Sequence, residues 1–268
     1  QMCIRDRVYA GADKPLVRDF VSAQDTHGMD GLGESRINRT SNCQPQSQKA
    51  SEFLATYFQK AQDTSLITLG PLTNLAMAIK QNPQIGKHIK RFVSMGGSYK
   101  SHGNCSPVAE YNYWCDPHAA QFVYQKLGRK IEMVGLDVTR AIVLTPNLLE
   151  YMRFLQPEVA EFVGRITRFY WDFHWEYEHI IGCVINDPLA IAHFLHEDLC
   201  TGFDSYVEVV TESIALGQTV VDAYDFYHKP ANAYIANQVS PSLFFRDFLA
   251  ILLNQPKETI ARDLSSLL

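Results

Sequence analysis

The sequence predicts an α/β protein with an open, mainly parallel sheet and helices on both faces. Short apolar runs rich in β-branched residues alternate with longer stretches of helical periodicity, and glycine or proline stands at most of the junctions. Strands that alternate with helices form βαβ units, which give parallel sheets covered on both sides. A chain of 268 residues can bury a substantial core. We therefore expect a single domain over residues 8–268.

The first predicted elements are two strands and two helices. SLITL at 65–69 is the first strand, Gly70 permits a tight turn after it, and Pro71 suits the first turn of the following helix. RFVSMGG at 91–97 is a second strand that ends in a glycine pair. The segment 116–128 predicts a helix, because it begins with an aspartate that can cap a helix and ends with glycine.

The second half of the chain continues this alternation. KIEMVGLDVT at 130–139 predicts a third strand, and the Thr-Pro pair at 145–146 predicts the start of a helix that extends to residue 155. A long aromatic helical region follows at 158–181. The remaining predicted elements are a helix at 187–196, a strand at 206–210 and a helix at 241–254.

Composition and charge exclude several classes of protein. The net charge is −5 and there is no run of Lys or Arg, so we expect neither nucleic acid nor an anionic membrane as a partner. No apolar stretch reaches transmembrane length, and the start lacks the layout of a signal peptide. The six cysteines are scattered without a CxxC pair, which is typical of reduced thiols in a cytoplasmic protein and not of structural zinc.

The first seven residues differ from the rest of the chain. QMCIRDR, residues 1–7, is polar and charged and joins VYAGADKPL abruptly. One interpretation is a disordered N-terminus. The other is that these residues are non-native and that the true N-terminal part is absent. In both cases residues 1–7 are expected to lie outside the domain.

Polar, glycine-rich segments follow the predicted strands, where open α/β sheets bind ligands. The most informative is GNCSPVAEYNYW, which carries Asn104, Glu110 and Asn112. Two amides and a carboxylate suit the vicinal hydroxyls of a sugar, because each hydroxyl both donates and accepts hydrogen bonds. A solvated loop with an ordinary exposed acid explains the same residues nearly as well.

Three further candidates also have a local structural explanation. His27 opens HGMDGLG, which is either a surface turn or a backbone that approaches a ligand closely beside a titratable ring. Leu69 ends the first strand, and LGPLTN can be a plain turn or can expose the Leu69 carbonyl to calcium. Asp187, followed by Pro188, is either a helix N-cap or a carboxylate directed at a metal.

Together these segments resemble the inosine/uridine-preferring nucleoside hydrolase family. The resemblance runs from VYAGADKP at Val8 through HGMDGLG, LGPLTNLA, MGGSYKSHGNCSPVAEYNYWCDPHAA, GLDVT and NDPLAIA to LGQTVVD at 216–222. It implies the α/β fold and hydrolysis of the N-glycosidic bond of ribonucleosides to ribose and free base, in nucleoside catabolism. It also implies a bound calcium ion and a homo-oligomer, often a tetramer.

The resemblance assigns roles to individual residues. Asn104, Glu110 and Asn112 fall on the family's N-x5-E-x-N ribose-binding positions. The Leu69 carbonyl and Asp187 fall on calcium ligands. His27 falls on the pocket histidine near the base and the sugar. In the family, calcium holds the ribose 2′- and 3′-hydroxyls and a water, and a carboxylate takes the proton from that water.

Two departures from the family pattern change what we expect. Asn186 stands where many members have a histidine that helps to protonate the departing base, and asparagine cannot act as a general acid near neutral pH. Aromatic stacking then has to assist departure of the base. The sequence does not indicate whether a purine or a pyrimidine base is preferred. The candidates for stacking are Phe169, Tyr170, Trp171, Phe173 and Trp175.

The second departure is that the family's opening motif, D-T-D-P-G-x-D-D, does not occur in the sequence. This motif supplies most calcium ligands and the general base, so both are expected to be missing, together with the first strand-helix portion of the sheet. We therefore expect weak calcium affinity and little hydrolase activity from these 268 residues. The alternative is a non-catalytic protein that binds nucleosides or ribose and has lost its metal site.

Overall fold

The computed structural model describes residues 7–37 and 44–267. These residues form two compact units. The first unit comprises residues 7–20, 44–137 and 202–237, and the second comprises residues 21–37, 138–201 and 238–267. The prediction of one domain over 8–268 stays a prediction. Of the predicted non-native or disordered start at 1–7, all but Arg7 lies outside the described residues.

The strands and helices are numbered in chain order. Within the described residues the strands are β1 (Thr64–Thr68), β2 (Ile89–Met95), β3 (Ile131–Val134), β4 (Val143–Leu144), β5 (Cys183–Val184), β6 (Cys200–Ser205), β7 (Val207–Val209), β8 (Thr219–Val221) and β9 (Ala233–Val239). The helices are α1 (Gln24–His27), α2 (Ala50–Tyr57), α3 (Thr73–Gln81), α4 (Ile85–His88), α5 (Tyr111–Cys115), α6 (Pro117–Lys126), α7 (Leu136–Thr139), α8 (Pro146–Leu155), α9 (Pro157–Glu178), α10 (Asn186–Leu195), α11 (Pro241–Leu252) and α12 (Lys257–Leu264).

The main sheet confirms the predicted fold class. Its strand order is β1-β2-β3-β9-β6, and the pairs β1–β2, β2–β3 and β3–β9 are parallel. Thr68 pairs with Ser94, so β1 and β2 end side by side and the loops that follow them leave the same edge of the sheet. Candidate ligand-binding residues after these strands therefore lie at one edge.

The core of the first unit packs helices against this sheet. Helix α3 contacts both α2 and α6, and α6 contacts β7. The largest buried side chains come from strands and helices alike: Phe58, Leu72, Ile79, Phe92, Tyr113, Ile131 and Met133. Asp116 caps α6 as predicted, because its carboxylate accepts a hydrogen bond from the Ala119 N–H at 3.0 Å.

The second unit is mainly helical. Helix α9 contacts α1, α8 and β5, while α11 contacts α10 and α12. Strands β4 and β5 form a short antiparallel pair. Arg140 binds the Glu178 carboxylate through Nε at 3.1 Å and Nη2 at 3.0 Å, and both side chains are largely buried. This bidentate ion pair fixes the C-terminal end of α9.

The sequence prediction was wrong at 130–139. The strand β3 ends at Val134, and the residues after Gly135 form the short helix α7. The cause is the Asp137 carboxylate, which accepts backbone N–H groups from Tyr99, Lys100 and Ser101 at 2.6, 2.7 and 2.9 Å. These hydrogen bonds draw the chain out of the sheet and fix the start of the loop that follows β2.

The other predicted helices and strands are present, with bounds shifted by a few residues. The sequence prediction missed the strands β4, β5, β6, β8 and β9 and the helices α1, α2, α4, α5 and α12. In the described part of the chain, no helix is both long enough and apolar enough to span a membrane.

Candidate active site

The loop after β2 in the first unit carries the predicted ribose-binding residues. It begins with Gly96 and Gly97, and Gly97 has a φ of 74°. A Cβ atom on Gly97 would lie 2.8 Å from the Thr219 hydroxyl and 2.9 Å from the Met133 sulfur, so only glycine fits there without strain. The Gly97 N–H points inward and donates to Glu110 Oε2 at 2.9 Å.

Glu110 is the centre of this loop. It is 2% exposed and caps helix α5. Its carboxylate accepts N–H groups from Asn112 at 2.7 Å and from Tyr113 at 3.2 Å, in addition to Gly97. Three backbone donors compensate the buried charge. The alternative of an ordinary exposed acid in a solvated loop is therefore wrong.

Asn112 and Asn104 lie beside Glu110 and are fixed through one end of each amide. Asn112 Nδ2 donates to the Met95 carbonyl at 3.1 Å, and Asn104 Oδ1 accepts the Tyr111 N–H at 3.0 Å. Within the described part of the chain, Asn112 Oδ1 and Asn104 Nδ2 make no hydrogen bond, so both atoms are available to a ligand. An acceptor and a donor next to a carboxylate form the pattern that sugar hydroxyls need.

Leu69 directly follows β1 at the same edge of the sheet. It is 37% exposed. The turn after it has structural roles: Thr73 donates to the buried Asp116 carboxylate at 2.7 Å, and Asn74 Oδ1 accepts the Ala12 N–H at 2.9 Å. The structure therefore brings Leu69, Asn104, Glu110 and Asn112 to one edge of the first unit, through the adjacent ends of β1 and β2.

In the second unit, Asn186 and Asp187 start helix α10. The cap position is Ile185, and Asp187 lies in the first turn without a side-chain capping bond. The N-cap interpretation of Asp187 is therefore wrong. Burial raises the pKa of Asp187 to about 6. A half-buried carboxylate of this kind favours a proton or a cation as its neighbour.

Asn186 is tied to the aromatic helix α9. Its Nδ2 donates to the Tyr170 hydroxyl at 3.0 Å. Its Oδ1 is buried and has no hydrogen-bond partner among the described residues. A buried amide oxygen without a partner costs free energy, and a ligand that donates a hydrogen bond would recover it.

His27 belongs to the same cluster of side chains in the second unit. Its ring centroid lies 5.1 Å from that of Tyr170, and Tyr170 in turn meets His174 edge-on at 4.2 Å. Burial lowers the pKa of both His27 and His174, so both rings are neutral near pH 7. The sequence prediction singled out His27 and included Tyr170 among the stacking candidates, but it missed His174. The helical spacing of Tyr170 and His174 on α9 was the available signal.

The loop that carries His27 is fitted closely to helix α9. Gly33 has a φ of 65°, and a Cβ atom there would lie 2.3 Å from the Ile166 carbonyl. The Arg165 guanidinium also donates to the Ser35 carbonyl. The His27 ring is therefore held beside Tyr170 by the backbone that follows it.

The residues present do not by themselves fit a calcium ion. Calcium binds roughly six to eight oxygens. Within residues 7–37 and 44–267, no group of three or more His, Cys, Asp or Glu side chains is placed to hold a metal. Leu69 and Asp187 each offer a suitable oxygen, but the carboxylates of a D-T-D-P-G-x-D-D motif are not in the sequence.

The buried Asp187 carboxylate predicts a pH-dependent stability. Its pKa of about 6 in the folded chain exceeds the value of about 3.9 expected in the unfolded chain, so stability should fall as the pH rises between these values. Asp187→Asn removes this penalty. The free energy of unfolding is measured in urea with EDTA. The value for the variant minus that for the parent should be about 2 kcal/mol larger at about pH 8 than at about pH 4. Asp172→Asn, at an exposed position on α9, is the control, and an equal gain at both pH values would contradict the prediction.

Comparison with known proteins shows the family to which the chain belongs. The family model described as inosine-uridine preferring nucleoside hydrolase matches residues 2–246. The pyrimidine-specific ribonucleoside hydrolase RihA of Shewanella oneidensis is 37% identical over 234 residues, which covers 85% of this chain and 72% of that protein. RihA of Salmonella gallinarum is 33% identical over 246 residues, 91% of this chain and 78% of that protein.

Solved structures agree with the sequence comparison. The purine-preferring ribonucleoside hydrolase from Gardnerella vaginalis superimposes with a TM-score of 0.84 at 28% identity, covering 95% of this chain and 80% of that one. The predicted family and fold class are thus confirmed. The chain is an α/β enzyme that belongs to the inosine-uridine preferring nucleoside hydrolase family.

Proposed function

We propose that this chain provides the ribose-binding part of a ribonucleoside hydrolase that cleaves the N-glycosidic bond to give ribose and free base. The observation that carries the proposal is the arrangement around buried Glu110, where Asn104 and Asn112 each have one amide atom that no other described residue binds. This arrangement lies where open α/β sheets bind ligands.

The reaction places different demands on the two ends of the nucleoside. Water adds to the anomeric carbon, the carbon–nitrogen bond breaks with its electron pair on the base, and the base gains a proton. Glu110, Asn104 and Asn112 are proposed to bind the ribose hydroxyls, whose orientation the developing oxocarbenium ion requires. No described residue is assigned as the general base.

The side chains around Asn186 are proposed to contact the base. Asn186 Oδ1 can accept a hydrogen bond from a base N–H, and the Tyr170 hydroxyl can donate one. His27 and His174 are neutral at neutral pH because their pKa values are lowered, so neither supplies a charged acid to the departing base. We propose that hydrogen bonding and stacking assist its departure instead of a histidinium.

Calcium dependence is proposed only for a chain that also carries the Asp-rich motif. When bound, calcium would orient the ribose and lower the pKa of a bound water. In this chain Asp187 and the Leu69 carbonyl are the candidate ligands. The proposal predicts weak calcium affinity for the 268 residues alone.

The relatives differ in the base that they prefer. The RihA proteins are named pyrimidine-specific, and the Gardnerella protein is named purine-preferring. Release of ribose from uridine, cytidine and inosine by a version of the chain that carries the Asp-rich strand before Val8 tests the proposal. Free ribose and free base in equal amounts are expected from at least one of the three.

One alternative has specific support. The described residues contain no cluster of metal-binding side chains, and Asn186 replaces the usual histidine, which fits a non-catalytic nucleoside- or ribose-binding protein. Binding of uridine without ribose release, even by the version that carries the motif, would establish the alternative and reject hydrolysis. Absence of both would reject nucleosides as ligands.

We also propose that the chain forms a homo-oligomer, as the family resemblance implies, and that it acts in the cytoplasm, as the scattered cysteines indicate. Light scattering of the purified chain tests the first of these. A monomer at every concentration would contradict it.

A further inference from the structure

Four hydroxyl groups form a hydrogen-bonded chain beneath the ribose-binding loop of the first unit. The hydroxyls of Thr68 and Tyr113 both donate to Ser94 Oγ at 3.0 Å, and the hydroxyls of Tyr113 and Tyr124 lie 3.1 Å apart. Ser94 and Tyr113 are fully buried, and Tyr124 is 4% exposed. Buried hydroxyls cost free energy unless they are bonded, whereas apolar side chains would fill this space without that cost.

Tyr113 connects this chain of hydroxyls to the ribose-binding residues. It follows Asn112 on α5, and its backbone N–H donates to Glu110 Oε2 at 3.2 Å. Its ring packs on the glycine pair that follows β2, since a Cβ atom on Gly96 would lie 2.3 Å from Tyr113 Cε1. One side chain therefore contacts both ends of the loop that bears Asn104, Glu110 and Asn112.

Hydrogen bonds to Ser94 and Tyr124 hold the hydroxyl end of the Tyr113 ring, in addition to the packing of the ring itself. An apolar ring in this position could slide along its own plane, and α5 would move with it. The bond from Tyr113 to Ser94 anchors the far end of the ring to strand β2. Asn112 Nδ2 donates to Met95, the residue after Ser94, so the hydrogen bonds from α5 to β2 are made at adjacent strand positions.

We propose that Tyr113 is a positioning residue for ribose recognition, which acts through Ser94 to hold Glu110 and Asn112 in the geometry that binds the sugar. This inference rests on the proposed function of the loop. It differs from a purely stabilising role, because it requires that loss of one hydroxyl changes sugar affinity in a chain that remains folded.

The test compares Tyr113→Phe, Ser94→Ala and the double variant with two controls. Tyr124→Phe keeps the bond from Tyr113 to Ser94. Tyr151→Phe removes a hydroxyl that donates to Asp263 at 2.9 Å in the second unit. Two quantities are measured in the 268-residue chain: hydrogen exchange of the Gly97 and Asn112 amides, and affinity for uridine by NMR titration.

Tyr113→Phe and Ser94→Ala should each speed exchange of both amides and weaken uridine binding by roughly tenfold, in line with one buried hydrogen bond. The double variant should be no worse than either single variant, because both remove the same link. The two controls should stay within about twofold of the parent. Unchanged exchange, or faster exchange with unchanged uridine affinity, would overturn the proposal.

The same measurements distinguish a failure of the proposed nucleoside binding from a failure of the link between Tyr113 and Ser94. If the parent chain does not bind uridine while its amide exchange responds to Tyr113→Phe, the link between α5 and β2 exists but the loop does not bind a nucleoside. That result rejects the role of Tyr113 in ribose recognition together with the proposed function of the loop.

Discussion

Hydrolysis of uridine or inosine should be about 10² to 10⁴ times faster in a version of this chain that carries a D-T-D-P-G-x-D-D strand before Val8 than in the 268 residues alone. The physical reason is the general base, which the motif supplies and to which no described residue corresponds. The motif would also contribute most of the oxygens that calcium needs, and Leu69 and Asp187 offer one group each.

The measurement pairs calorimetric calcium titration with ribose release from both versions. Calcium should bind tightly only to the version that carries the motif, and turnover should require calcium. The matched control is the same version with the motif aspartates changed to asparagine, which keeps the strand but removes the charge. If the 268 residues alone bind calcium tightly and turn over nucleoside at the rate of the longer version, the motif does not supply an essential general base.

The sequence predicted the fold class, the six longest helices and three of the five strands of the main sheet, because these depend on local periodicity and on Gly and Pro at the junctions. It missed β9, although AYIANQV becomes a central strand beside β3. Pairing with a strand about a hundred positions away leaves no local signal. The apolar run at 130–139 has the local pattern of one strand. The hydrogen bonds that end this strand at Val134 come from the loop at 99–101, which is distant in the sequence.

The candidate site divides in the same way. Family motifs located Asn104, Glu110 and Asn112. They did not show that Glu110 is buried and accepts three backbone N–H groups. That fact depends on α5, a helix of five residues too short to give a periodic pattern. The contact between Asn186 and Tyr170 was likewise unavailable, since it joins two helices. Local residue types indicate which chemistry is possible, and only the tertiary contacts show which atoms remain for a ligand.

Glu110→Ala is expected to lower the free energy of unfolding by about 3 to 4 kcal/mol and to abolish uridine binding. The change leaves the N–H groups of Gly97, Asn112 and Tyr113 buried without their acceptor. Each such group costs about 1 to 3 kcal/mol, and the loop can relax to recover part of that sum. Few single substitutions outside a packed core reach this magnitude.

Two variants separate the charge from the hydrogen bonds. Glu110→Gln keeps one acceptor oxygen, so about half of the stability loss is expected, while uridine binding should still fall because an N–H₂ group replaces one acceptor.

Glu52→Ala is the matched control on α2: the Glu52 carboxylate also accepts a backbone N–H, from Lys49 at 3.4 Å, but it is exposed. Its loss should cost no more than about 0.5 kcal/mol. Chemical denaturation and uridine titration of the three variants decide the matter. Equal costs for Glu110→Ala and Glu52→Ala would show that burial of the carboxylate does not organise this loop.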